Sequence, residues 1–133
     1  MANEEYLIKI GILQEQAGQI RQQVEFIEQN LQEIENVRQG LKTIEDKESN
    51  EMMTHIGRGV FAKTKLLERE FLVNVGAEVV LKKSLPETLE MLKKQASEMQ
   101  KVKENLLLNF AGISEALQML VADTADAEKR FKY

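Results

Sequence analysis

From its first residues the chain places apolar side chains at Tyr6, Ile10, Leu13, Ala17, Ile20, Val24, Ile27, Leu31 and Ile34, in alternating steps of four and three. This is a heptad seam, the spacing by which one helix buries a stripe against another. After Ile34 the next seam position falls on Arg38, while Val37, Leu41 and Ile44 continue one apolar face with a shortened step, which predicts local overwinding there. Glu4 and Glu5 sit where a helix N-terminus favours negative charge. The pattern predicts a helix over 3–46, on the order of 60 Å long at about 1.5 Å per residue. A second seam runs through Leu85, Leu89, Leu92, Ala96 and Met99, carries Lys103, and continues through Leu106, Phe110, Ile113, Leu117, Leu120, Ala127 and Phe131. Ser84 and Glu87 have capping-box spacing, and Pro86 falls in a first turn that needs no backbone N–H from it, so a second helix is predicted over 86–132.

Between the seams the period changes from seven to two, and β-branched or aromatic residues gather around glycines. Met52–Ile56 and Val60–Leu66 flank Gly57-Arg58-Gly59, and Phe71–Val75 and Val79–Lys83 flank Gly76-Ala77-Glu78, which predicts two β-hairpins within 51–84. The segments IGRGVFAK at 56–63 and VGAEVVLK at 75–82 match glycine on glycine and lysine on lysine, nineteen residues apart. The expected fold class is therefore mainly α with a small β region. It is a long antiparallel coiled-coil helical hairpin with two β-hairpins inserted at the bend, and residues 1–133 form a single domain.

Two surfaces of this fold have no partner within the chain. Four short strands cannot close into a barrel, and they leave unpaired backbone groups beside Val60, Phe61, Phe71, Val73, Val75, Val79 and Leu81, which predicts oligomerisation through the β region. At the other end, if residue numbers across the coil sum to about 131, Leu7, Ile8 and Ile12 lie opposite the stretch holding Met119 and Val121. These five are outside the seam, whereas the off-seam positions midway along the first helix are nearly all polar, with Phe26 the main exception, opposite Leu107 and Leu108. With Tyr6 and Phe131, which close the seam at that end, they form a candidate site for contact with other proteins. Thickening of a frayed terminus is the competing explanation for each residue by itself.

Composition narrows the chemistry. Aromatic residues are 5% of the chain, tryptophan is absent and proline occurs once, which suits long helices better than a compact mixed core. A net charge of −4 gives no global basic field, so nucleic acid and anionic membrane are disfavoured as partners. Without cysteine there is no disulfide, thiolate nucleophile or zinc-thiolate site. The start, MANEEYLIKI, lacks the basic residues of a signal peptide, and no apolar run is expected to reach membrane-spanning length, so a cytoplasmic location is expected. The Gly57-Arg58-Gly59 run is too short for a glycine-rich phosphate fingerprint, and no Lys-Ser/Thr pair completes a P-loop. His55 is the only histidine and reads as a strand residue, neither metal ligand nor base, and the acids Glu33/Glu35 and Glu45/Asp46/Glu48 read as solvated helix charge. No catalytic residue, metal or cofactor is expected. Lys63, Lys65, Lys82 and Lys83, and Lys129, Arg130 and Lys132, read as solvated lysines and arginine, with docking to an acidic partner as the lesser reading.

The order helix, two hairpins built on IGRGVFAKTKL and FLVNVGAEVVLKKS, then helix, resembles the α-type subunits of archaeal-type prefoldins. Two hairpins mark the α type, since β-type subunits of that family have one. His55 stands where the family often has proline, and Arg58 where a small residue is usual. The resemblance implies a hexamer of two α-type and four β-type chains joined through a β-barrel platform, with coiled-coil tips that grip unfolded proteins. It further implies an ATP-independent chaperone that hands its clients to a group II chaperonin. From the residues by themselves, a structural homo-oligomeric coiled-coil scaffold or filament on the same β region remains the alternative.

Overall fold

The computed structural model describes residues 2–47 and 49–131, with side chains described at 4–47 and 49–123. Its elements run α1 (Ala2–Asp46), β1 (Glu51–Gly57), β2 (Val60–Lys65), β3 (Glu70–Gly76), β4 (Val79–Ser84) and α2 (Leu85–Phe131). Two helices and two antiparallel β-hairpins are the predicted fold class, with helix boundaries within a residue of those expected. The chain divides into two compact units, one of residues 1–31 with 98–133 and the other of residues 32–97.

In the first unit the seams hold their positions. Ala17 and Val24 are buried, and Tyr6, Ile10, Leu13, Ile20, Ile27 and Leu31 are half-buried. On α2, Lys103, Leu106, Phe110, Ile113, Leu117 and Leu120 are half-buried, while the side chains of Ala127 and Phe131 lie outside the described residues. Register is visible in two cross-helix pairs: Lys103 Nζ lies 3.3 Å from Glu28 Oε1, and the Arg21 guanidinium lies 5.6 Å over the Phe110 ring. Both pairs of numbers sum to 131, the antiparallel register that the helix ends imply.

In the second unit, Ile34, Leu41, Leu85 and Leu92 are buried. The expected shift of the seam at Val37 does not occur: Val37 is 51% exposed and Arg38 is the inward residue. An arginine fits because its methylene stem packs while Nη1 meets Glu35 Oε2 at 3.3 Å, although Nε is buried without a hydrogen-bond partner among the described residues. The shortened step comes later, between Leu41 and half-buried Ile44. At the end of α1, Arg69 donates from Nη2 to the Lys47 carbonyl at 2.8 Å and from Nη1 to that of Ile44 at 3.3 Å. A cation thus satisfies carbonyls that the helix leaves unpaired, where its own last turn has no basic residue. α2 begins without a linker: Ser84 closes β4 opposite Glu70, and its Oγ accepts from the Glu87 N–H at 3.3 Å and donates to Glu87 Oε1 at 2.9 Å.

Each hairpin is its own two-stranded sheet. The pairing runs from Glu51↔Lys65 to His55↔Phe61 and resumes at Gly57↔Val60, leaving Ile56 as an extra, bulged residue. The second hairpin repeats this, with Val75 extra between Asn74↔Val80 and Gly76↔Val79, and Asn74 Oδ1 accepting from the Gly76 N–H at 2.9 Å. The internal duplication is therefore one of backbone as well as letters. Both turns need positive φ at their two central residues: Arg58 (49°) and Gly59 (78°), then Ala77 (49°) and Glu78 (62°). The first turn has one glycine for this work and the second has none. His55, cross-strand from Phe61, packs against it with ring centroids 5.0 Å apart and planes tilted by 54°.

One stretch of α2, within Leu85–Asp123, does reach the length and apolar content of a membrane-crossing segment, contrary to the expectation above. The content arises because half-buried seam residues, Leu106 and Phe110 among them, are joined by off-seam Leu107, Leu108, Met119 and Val121. It belongs to a coiled-coil helix.

The left-handed backbone at Ala77 and Glu78 costs about 1–2 kcal/mol per residue outside glycine and asparagine. Glu78→Gly is expected to raise the protection of β3 and β4 amides about five- to thirtyfold, measured by native-state hydrogen exchange.

Candidate functional site

Among the described residues, exposed apolar side chains gather at two places in particular after the seams and strands are paired. The first lies at the end of the coil formed by the start of α1 and the last described side chains of α2. There Leu7 and Ile8 are each 63% exposed, Met119 64%, Val121 55% and Ile12 51%. In a helix with a heptad seam these positions fall beside or behind the stripe and not within it. Tyr6, at the same end, is a half-buried seam residue, and the Phe131 side chain lies outside the described residues.

The second surface is on the hairpins. By strand alternation Phe71, Val73, Val75, Val79 and Leu81 share one face of the second hairpin, with Val73 directly across from Leu81. Phe71 and Val73 are half-buried, and the other three are exposed. The duplication carries Val60 to the equivalent face of the first hairpin, beside Met52 and Ala62, whereas Phe61 points to the opposite face with His55 and Met53. Sequence reasoning missed that the second hairpin is apolar on its other face too, through Leu72 (71% exposed) and Val80 (53%), and that Leu67 between the hairpins is 90% exposed. Their alternation with Val73 and Leu81 was the available signal. A two-stranded ribbon with apolar residues on both faces is marginal in water and calls for cover.

Lys82 is engaged with Glu68 at 3.2 Å, and among the described residues no cluster of three or more His, Asp or Glu side chains could hold a metal. A crevice of about 290 Å³ between the end of α1 and the first hairpin is lined by Gly40, Thr43, Ile44, Met52 and Leu66, with Lys47 and Glu51 among its polar residues.

The family model described as "Prefoldin subunit" matches residues 13–129. A prefoldin subunit alpha of Methanosphaera stadtmanae is 33% identical over 89 residues, 67% of this chain, and the match spans 64% of that relative, under two thirds of its length. A prefoldin subunit alpha of Methanobrevibacter smithii is 26% identical over 87% of this chain and 80% of its own. Among solved structures, a chain of filamentous PFD from Methanocaldococcus jannaschii superimposes with a TM-score of 0.73 at 13% identity, covering 86% of this chain and 96% of that one. At that identity the likeness concerns the fold.

If the off-seam residues hold no part of the fold together, Leu7→Ser with Ile8→Ser should change unfolding free energy by less than about 0.5 kcal/mol, whereas Val24→Ser should cost about 2 kcal/mol. Chemical denaturation of the three proteins checks this.

Proposed function

Since the chain belongs to the prefoldin family and is of its alpha type, we propose that it is one subunit of an ATP-independent holding chaperone. The family is one of chaperones and not of enzymes. The observation that carries the reading is the exposure of Leu7, Ile8, Ile12, Met119 and Val121 at one end of a coil that does not need them. Non-native proteins expose apolar segments of no fixed sequence, and a cluster of Leu, Ile, Val and flexible Met binds such segments without demanding one shape. Phe131 and Tyr6 belong to the same proposed client surface.

Assembly in this reading runs through the hairpins. Val60, Phe61, Phe71, Val73, Val75, Val79 and Leu81 meet β-type subunits, in a complex of two alpha and four beta chains that works in the cytoplasm. Captured clients then pass to a group II chaperonin, with no nucleotide, metal or other cofactor. A second reading, a homo-oligomeric scaffold or filament on the same hairpins, draws support from the filamentous assembly of the M. jannaschii protein of like fold. Sedimentation of the chain with and without a β-type partner separates the two.

With that partner, the chain is expected to slow aggregation of chemically unfolded citrate synthase, followed by light scattering. Leu7→Ser, Ile8→Ser and Met119→Ser together are expected to remove most of the effect, and an unchanged trace would end the proposal. Val73→Lys, which sets a charge on the shared apolar face, is expected to shift the sedimenting species to smaller size, with the helical circular dichroism retained.

A further inference from the structure

The two flanks of the coil in the unit of residues 1–31 and 98–133 differ in chemistry. One flank has a groove lined by Ile20, Val24, Leu107 and Phe110 together with Arg21, Glu25 and Glu28. Its charges are partly occupied within the chain, Glu28 by Lys103 and Arg21 by the Phe110 ring. On the opposite flank two shallow grooves adjoin, sharing Gln19 and Gln23. Their α1 side is Leu13, Gln16, Gln19, Ile20, Gln22 and Gln23, then Phe26 and Ile27. Their α2 side includes Val102, Leu106, Asn109, Gly112, Ile113 and Ala116. No residue of either groove is charged.

Among the described residues, none of the amide groups of Gln16, Gln19, Gln22, Gln23 and Asn109 is hydrogen-bonded within the chain, whereas Gln32 further along α1 bonds to Asn36 at 3.0 Å. The neutral strip has an apolar anchor at each end: Phe26 (66% exposed) with Val102 (51%), and Ile12 with Met119. Ile12 precedes Gln16 by four residues and Met119 follows Ala116 by three, so the strip continues along the same helix faces into the exposed coil end. From Ile12 to Phe26 it runs about 21 Å, the length of about six residues of extended chain.

We infer that this neutral flank holds an extended strand of non-native polypeptide, its main chain hydrogen-bonded by the glutamine and asparagine amides between the two apolar anchors. The match is one of charge and of bonding type. A peptide backbone carries no net charge and offers one donor and one acceptor at almost every residue, and each side-chain amide offers both in return. Charged groups in the groove would select among client sequences, and amides do not. Gly112 and Ala116 keep the α2 wall low where a backbone would lie. The inference rests on the capture of non-native chains proposed above and extends that site from the coil end along one flank.

The test uses the full chain in complex with a β-type partner, and reduced, S-amidomethylated α-lactalbumin as a permanently unfolded probe. A photo-crosslinking benzoylphenylalanine is placed at Gln19, at Glu25 or at Leu7. Crosslinks to the probe are expected from Gln19 and Leu7 and not from Glu25. The variant Gln16→Ala/Gln19→Ala/Gln23→Ala is expected to bind the probe about tenfold more weakly by fluorescence anisotropy, and Gln14→Ala/Gln29→Ala/Gln118→Ala to bind it unchanged. Crosslinks from Leu7 without any from Gln19, or equal yields from Gln19 and Glu25, would overturn the flank and leave capture by the coil end standing. Crosslinks from Gln19 to another copy of this chain would assign the flank to self-association and overturn the inference as well. No crosslink from any position would overturn both.

Discussion

A helix whose apolar side chains form only a narrow stripe cannot stay folded in water by itself, and the burial of that stripe against a second stripe is the constraint on which this protein depends. The core it produces is a line and not a volume. Ala17 and Val24 are the buried apolar residues of one unit and Ile34, Leu41, Leu85 and Leu92 those of the other, and no described side chain is fully buried. Fully burying a Leu or Val contributes about 1.5–3 kcal/mol, so half-buried seam residues contribute less each and stability is spread along the helices. The consequence is functional. Off-seam positions carry little of the folding free energy and are open to other uses.

The hairpins obey the opposite economy. Two-stranded ribbons are marginal in water, and here each is a separate sheet, tied back locally. Arg69 binds the last carbonyls of α1, and Ser84 is at once the final partner in β4 and the cap of α2. What the strands lack in pairing they offer in surface: Phe71, Val73, Val75, Val79 and Leu81 on one face, Leu72 and Val80 on the other. The left-handed turn at Ala77 and Glu78 fits this economy, since a non-glycine turn is held by the bulge and pairing around it, at some local cost.

Features set by neighbours in the chain were the ones legible in the sequence. Seam spacing, the Ser84 and Glu87 cap, the hairpin turns and their duplication each depend on a few consecutive residues, and the structure has them where the letters put them. Features set by distant partners were not. Counting apolar letters favoured Val37 over Arg38, because a letter count does not weigh the packing of an arginine stem in an unbroken supercoil. Arg69 gave no sign of capping a helix that ends more than twenty residues earlier. The exposed Leu and Met residues at the coil end could be named in advance because a register near 131 was already implied, whereas the neutrality of the grooves on one flank emerges only once both helices are laid side by side.

Register is therefore what turns a generic coil into a specific surface, and the polar residues of the seam are suited to hold it. A polar side chain in a seam lowers stability and disfavours alternative alignments. Sliding one helix by a heptad in one direction would set Lys103 against Arg21, two like charges in place of the Glu28 pair. Sliding it the other way would take Phe110 from Arg21 and bring it to Glu28, exchanging a cation over the ring for an anion. Apolar seam residues alone would tolerate either slip, since one heptad repeats the next. Against these slips, Lys103, Arg21 and Phe110 keep Ile12 across from Met119 and the glutamines of α1 across from Asn109 and Gly112, so that the charged groove and the neutral grooves stay on opposite flanks.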